Sequence, residues 1–330
     1  MKASIYTKYG PPDVLELKEV EKPAPNDDEV LIKVYAASVN PAELHLLRAD
    51  PFFARFYSGL LKPKNTILGA DISGTIEAVG RNIKLFHIGD EVFGDLSDSG
   101  WGGYAQYVCA PENALALKPA NISFAEAAAV PLAATTALQG LRNKGHIQQG
   151  QKVLINGASG GVGTFAVQIA KSFGTEVTGV CSSRNLDLVR SIGADHVIDY
   201  TQIDFTKNGQ HYDLIFDAVG NRSVSDFKRA LSPNGICAVA GFTNFSHLLR
   251  IIVQGSWVSI TGSKKIGLME TAKPNHKDLV FIKELIEAGK VKPVIDRRYP
   301  LSEVTEAFRY LETKRARGKI VITVEDSIKN

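Results

Sequence analysis

The stretch Lys152-Val-Leu-Ile-Asn-Gly-Ala-Ser-Gly-Gly-Val-Gly163 limits what this chain can fold into more than any other. Val153, Leu154 and Ile155 form a short apolar run that reads as a buried strand, and a glycine-rich turn comes directly after it. Val162 to Lys171 then places apolar residues at 162, 165, 166, 169 and 170, the spacing of one helical face. Strand, glycine turn and helix form the first unit of a dinucleotide-binding fold. Gly160 lets the backbone approach a pyrophosphate because no side chain intervenes, and Gly163 lets the helix sit close on the strand. The helix N-terminus offers free N–H groups and the positive dipole end to the phosphates. Ala158, Ser159, Gly160, Gly161, Val162 and Gly163 are the expected contacts.

The chain beyond this helix supports that reading. Glu176–Cys181, His196–Tyr200, Asp213–Val219, Ile236–Ala240 and Trp257–Ile260 read as further strands, with helix-like segments between most of them. Such alternation is the signature of a doubly wound parallel sheet. A capping box, Ser123-Phe-Ala-Glu126, opens an alanine-rich helix just before it, and Thr135-Thr136 precede a second helical run. Downstream, helices are expected over His276–Ala288, ending at Gly289, and over Glu303–Thr313; Lys319–Val324 is a last strand.

The first 120 or so residues differ. Glu29–Tyr35, Gly74–Gly80, Gly89–Gly94 and Gly103–Val108 are short strand patterns divided by Gly and Pro, which suggests a barrel-like β domain. Asn40-Pro-Ala-Glu43 interrupts it as a helix start, with Asn40 as N-cap, Pro41 at the first helical position and Glu43 closing a capping box. Pro51 to Leu61 is rich in large apolar side chains and has two readings: a small helix packed on the barrel, or a wall over an apolar substrate pocket.

Composition narrows the function classes. The chain has 330 residues, formal net charge +3 and three scattered cysteines, Cys109, Cys181 and Cys237. About two domains are expected, in a reducing compartment, with no basic stripe for nucleic acid. The N-terminus lacks a signal-like apolar core and no apolar run is long enough for a membrane span, so the cytoplasm is the expected location.

Cofactor choice is read about twenty residues beyond the glycines, where NAD-preferring sites carry an acid that binds the ribose hydroxyls. Here stand neutral Cys181, then Ser182-Ser183-Arg184. With no carboxylate to repel it, a 2′-phosphate can pair with Arg184 and accept from the serines. Ser182 and Ser183 also suit the cap of a helix over Asn185–Ile192, which is compatible with phosphate contact. Tyr200 can add a hydroxyl. NADPH is therefore expected over NADH.

Five further segments carry a family resemblance: Ser38-Val-Asn-Pro41, Leu68–Gly74, Gly89–Gly94, Pro131–Thr136 and Asp217-Ala-Val-Gly220. Together with Ala158–Gly163 and the closing Arg315-Ala-Arg-Gly-Lys-Ile-Val-Ile322, they resemble the medium-chain dehydrogenase/reductase superfamily. The likeness is closest to its zinc-independent quinone oxidoreductase branch. The resemblance implies a GroES-like catalytic domain over 1–121 and 293–330, a Rossmann NADPH-binding domain over 122–292, and a homodimer through the sheet edge near Trp257–Gly262. The catalytic zinc ligands of related alcohol dehydrogenases would fall at Asn40, Ala70 and Leu132, and alanine and leucine cannot bind zinc. The structural zinc lobe is missing too, so no metal is expected. What remains is hydride transfer from NADPH to an electron-poor acceptor, a quinone or an α,β-unsaturated carbonyl. Two alternatives stand beside it: a zinc-free enoyl-thioester reductase, and an NADPH-binding protein with little turnover.

The resemblance also implies roles at single positions. Asn40 would lie at the nicotinamide end, its amide bonding a carbonyl or ribose oxygen, or it is simply an N-cap. His45 is a proton donor or a surface histidine. Thr136, Gly241 and Phe242 would flank the nicotinamide, with Val219 nearby, although Thr136 can equally bond its own helix backbone. Arg317 and Lys319 reach a phosphate or the ribose, or form a solvated basic turn.

Overall fold

The computed structural model describes residues 1–50, 54–242 and 245–324. They fall into two units: Met1–Leu132 with Lys273–Glu287 and the segment from Pro293 onward, and Ala133–Ala272 with Ala288–Lys292.

In chain order the first unit opens with β1 (Lys2–Ile5), β2 (Glu16–Glu19) and β3 (Glu29–Val39), then α1 (Pro41–Arg48) and α2 (Ala54–Ser58). Next come β4 (Asp71–Val79), β5 (Glu91–Asp95), β6 (Tyr107–Pro111), β7 (Leu115–Leu117) and α3 (Phe124–Ala128). The chain passes into the second unit within α4 (Pro131–Gln139). That unit begins with β8 (Lys152–Asn156), α5 (Gly161–Ser172), β9 (Glu176–Cys181), α6 (Leu186–Ser191) and β10 (His196–Asp199). It continues with β11 (Tyr212–Asp217), α7 (Val224–Ala230), β12 (Leu231–Val239), α8 (Phe245–Thr261) and β13 (Lys265–Leu268). The chain then returns with α9 (His276–Glu287), β14 (Ile295–Pro300), α10 (Val304–Glu312) and β15 (Lys319–Thr323).

The long strand β3 organises the first unit. Its Val, Ile and Ala residues suit a pleated, buried surface. It pairs antiparallel with β4, with β6 through Glu29–Lys33, and with β15 through Ala36–Val39. The sheet order is β14-β15-β3-β4-β5-β7, with β6 also on β3. Val30, Ile32, Val34, Ile72, Tyr104, Phe308 and Ile320 fill one core cluster against it.

The second unit is a wholly parallel six-stranded sheet, in the order β10-β9-β8-β11-β12-β13. Its strand order reverses between β8 and β11, at the mouth of the glycine turn. Of the expected α5 face, Phe165, Ala166, Ile169 and Ala170 are fully buried and Val162 is half-buried; Val167 and Gln168, off that face, are buried as well, so the helix is enclosed on more than one side.

Several expectations change. Trp257–Ile260 is not a strand: it is the last turn of α8, and the sheet ends instead at β13. The apolar run there is long enough for a helix, and length outweighs the strand preference of a Trp-Val-Ser-Ile tetrapeptide. The strand expected at Gly103–Val108 starts only at Tyr107. Thr135 and Thr136 lie inside α4 rather than before it. Residues 122–132 and α9 group with the first unit, not with the parallel sheet. There the Phe124 ring stacks on Tyr35 at 4.6 Å. His276 Nδ1 donates to the Leu115 carbonyl at 2.7 Å, and Asn121 Nδ2 to the Ile286 carbonyl at 3.0 Å. Within 51–61, Pro51–Phe53 lie outside the described residues. Phe56, Leu60 and Leu61 are 72, 54 and 90 % exposed, so they are not core residues of the barrel.

Candidate functional site

The second unit gathers the expected cofactor residues at the carboxyl ends of its strands. The glycine turn leaves β8 through Gly157, which takes φ +86°. An added Cβ at Gly163 would stand 2.0 Å from the Gly157 carbonyl oxygen, so only glycine lets α5 close on the turn. Gly160 is different: a Cβ there would meet only that same oxygen, at an ordinary 3.5 Å. The space beside Gly160 is therefore open, not packed. Thr164 N–H is bonded to the Gly160 carbonyl, which leaves the N–H groups of Gly161, Val162 and Gly163 outside the helical ladder. An open side at a glycine, three unengaged N–H groups and a helix dipole suit a pyrophosphate.

Two loops border this turn. Val219 and Gly220 come after β11, and both N–H groups donate to the buried Asp217 carboxylate. Burial pushes that carboxyl above its ordinary range. Asn156, at the end of β8, donates to the same carboxylate at 2.8 Å. Gly241, just beyond β12, sits so close to this loop that a Cβ would stand 2.5 Å from the Ala218 carbonyl oxygen. Val219 and Phe242 are 37 and 40 % exposed. Thr136 is half-buried within α4.

At the end of β9, Arg184 is exposed and Cys181 buried, its thiol pushed up to about 11 by burial. Ser183 departs from expectation. It neither caps a helix nor stands free: its hydroxyl donates to Asp199 Oδ2 at 2.6 Å. That bond holds the Asp199 carboxyl below the ordinary range. Asp199 faces Cys181 in the register of β9 and β10, so an acid does stand near the expected phosphate position, one strand away. Ser182 provides no side-chain cap either, and Tyr200 is 55 % exposed.

The remaining expected residues, Asn40, His45, Arg317 and Lys319, belong to the first unit. Asn40 and Lys319 are 2 and 3 % exposed and sit in one buried polar network. Lys319 Nζ donates to Asn40 Oδ1 and to Asp71 Oδ2, the latter at 3.0 Å. Asn40 Nδ2 donates to the same Asp71 oxygen at 3.0 Å, and Ser38 Oγ at 2.6 Å. Leu132 N–H donates to the other Asp71 oxygen at 2.7 Å. Beside it, Glu43 is fully buried and accepts from Asn40 N–H, Ala70 N–H and the Tyr104 hydroxyl. The three positions expected to align with zinc ligands thus all bond these two carboxylates.

This geometry corrects two expectations. The Asn40 amide is spent on Asp71 and Lys319 rather than presented to a substrate. Lys319 is a buried ion-pair partner, not a solvated residue. The capping box of Asn40 and Glu43 at the start of α1 is present as expected, with Asn40 N–H donating to Glu43 at 3.0 Å. His45 is exposed, and its Nδ1 donates to the Asp50 carbonyl at 2.8 Å, closing the end of α1. Arg317 is exposed, with its N–H on Asp296. Among the described residues, no group of three or more His, Cys, Asp or Glu is arranged to hold a metal ion.

Sequence reasoning missed Glu43 beyond its cap role, and Asp71, Tyr104, Asn185 and Asp199. Only the Asp217-Ala-Val-Gly220 and Gly-Ala-Asp71 motifs carried a hint of buried acids.

Comparison with known proteins agrees with this architecture. Residues 26–120 match the model for the alcohol dehydrogenase GroES-like domain, and residues 192–322 that for zinc-binding dehydrogenases. A 2-methylene-furan-3-one reductase of Solanum lycopersicum is 37 % identical, over 98 % of this chain and 79 % of its own. An NADPH-dependent alkenal/one oxidoreductase of Arabidopsis thaliana is 35 % identical over the same shares. The solved quinone oxidoreductase of Coxiella burnetii superposes with TM-score 0.87 at 31 % identity, covering 98 % of this chain and 99 % of that one.

Proposed function

The chain belongs to the medium-chain dehydrogenase/reductase superfamily, on its quinone oxidoreductase-like branch, and from that premise we propose that it is an NADPH-dependent reductase of quinones or α,β-unsaturated carbonyls. The carrying observation is the open glycine turn at the switch point of the parallel sheet, with Arg184 and no carboxylate at the end of β9. Gly160–Gly163 would hold the pyrophosphate, Arg184 the 2′-phosphate, and Val219, Gly241 and Phe242 the nicotinamide side. The bound cofactor supplies a hydride; the protein's part is to orient an electron-poor acceptor and exclude water.

The reading is zinc-free. Asn40, Ala70 and Leu132 engage buried carboxylates through an amide and two backbone N–H groups, and none offers a thiolate or imidazole. It also includes a homodimer in a reducing cytoplasm. The edge strand for pairing is β13, beside the exposed Trp257 and Ile260 of α8.

The test monitors nicotinamide absorbance with NADPH and NADH against a panel of quinones, enals and enones, alongside metal analysis and sedimentation. Turnover with at least one acceptor is expected, with NADPH preferred and no stoichiometric zinc. Absence of oxidation with every acceptor would sink the proposal.

A further inference from the structure

We propose that Asn185 is a positioning residue for the cofactor: its side-chain amide fixes the Ser159 hydroxyl as a hydrogen-bond donor to the pyrophosphate. The inference rests on the proposed nucleotide binding at the glycine turn and deepens it.

Asn185 closes the short 3-10 turn Ser183–Asn185 and is 4 % exposed. Its Nδ2 donates to Ser159 Oγ at 2.9 Å. Ser159 is itself 9 % exposed and stands immediately before Gly160, beside the open space at the α5 N-terminus. A hydroxyl has one proton to give and two lone pairs to offer. The Asn185 amide occupies a lone pair, and among the described residues no acceptor takes the proton. That proton is left for an acceptor arriving in the space beside Gly160.

The second observation is on the amide's other atom. Asn185 Oδ1 is buried with no hydrogen-bond partner. A buried orphan acceptor carries a desolvation cost that an apolar side chain of similar size would avoid. With the amide reversed, Oδ1 would take the Ser159 proton, and the hydroxyl would turn lone pairs toward the phosphate and repel it. Nδ2 toward Ser159 is therefore the orientation that serves an anion.

The test measures equilibrium binding of NADPH, NADH and 2′-AMP, which has a ribose phosphate but no pyrophosphate. The proteins are wild type, Ser159→Ala, Asn185→Ala and the double variant. Each single change is expected to raise Kd for NADPH and NADH alike by about tenfold, the loss of one hydrogen bond to a charged group. Binding of 2′-AMP is expected to stay at the wild-type value. The double variant should bind as Ser159→Ala alone does, because Asn185 acts through that hydroxyl. Asn185→Asp keeps the size but can only accept, so it should bind both dinucleotides more weakly than wild type even if Asn185→Ala does not fold. Three results would overturn the proposal: wild-type NADPH affinity in Asn185→Ala, an equal loss of 2′-AMP, or multiplied losses in the double variant. A wild type that binds no dinucleotide would instead overturn the nucleotide binding on which the proposal stands.

Discussion

Lys319 Nζ lies 3.0 Å from Asp71 Oδ2 in the interior of the first unit, with 3 and 0 % of the two side chains exposed. Taking both charges out of water is costly, and hydrogen bonds from Ser38, Asn40 and Leu132 to Asp71 offset it. The pair ties the start of β15 to the start of β4.

Breaking one side of this pair should therefore destabilise the fold. Lys319→Met or Asp71→Asn is expected to cost about 3–5 kcal/mol, because each strands a buried polar or charged partner. The double variant should cost less than the sum. Urea unfolding with an unchanged m-value checks this; strict additivity would show that the two groups do not sense each other.

Glu43 makes the fold sensitive to pH. Burial pushes its carboxyl from 4.5 up to about 7, against the pull of hydrogen bonds from Tyr104, Ala70 and Asn40. A carboxyl raised in the folded state contributes stability that is full below its unfolded pKa and lost as pH rises through its folded pKa. Stability should thus fall between about pH 5 and 8, with Asp95, also raised to about 7 by burial and by Asp71, adding to the slope. Glu43→Gln should remove on the order of 2–3 kcal/mol of that dependence. An unchanged slope in chemical denaturation across this range would contradict the assignment.

The two glycines of the turn should fail in different ways. Gly163→Ala places a Cβ 2.0 Å from the Gly157 carbonyl oxygen and should lower the melting temperature by several degrees. Gly160→Ala meets no such contact and should melt like wild type, yet bind NADPH about tenfold or more weakly, because its methyl fills the space beside the α5 N-terminus. Wild-type affinity in Gly160→Ala would remove the pyrophosphate from this place.

Arg184 should decide between the two nicotinamide cofactors. It is exposed at the end of β9, where its fork can grip a 2′-phosphate. Arg184→Ala is expected to weaken NADPH by about 10–100-fold and to leave NADH nearly unchanged, a charge-assisted bond being at stake only in the former. Equal losses would move the 2′-phosphate elsewhere. The Asp199 carboxylate nearby makes this a sharp test, since without Arg184 its charge opposes the phosphate.

Local patterns were legible where one chemical rule acts over a few neighbouring residues. The glycine turn, the buried face of α5, the parallel alternation and the neutral residue at the end of β9 all come from periodicity and steric need. The helix mistaken for a strand at Trp257 shows the limit. Trp257 is 69 % exposed, so an apolar run there does not signal the burial that a strand reading assumes.

By itself, the sequence determined the dinucleotide platform and that Asn40, Ala70 and Leu132 carry no thiolate or imidazole, because those depend on which atoms a residue has. Only the tertiary structure decided what Asn40, Glu43, Ser183 and Lys319 do. Their partners, Asp71, Tyr104 and Asp199, lie 16 to 248 residues away in the chain or meet them only across paired strands. A long-range hydrogen bond leaves no periodic trace; it exists because folding removes two polar groups from water together and each must then satisfy the other.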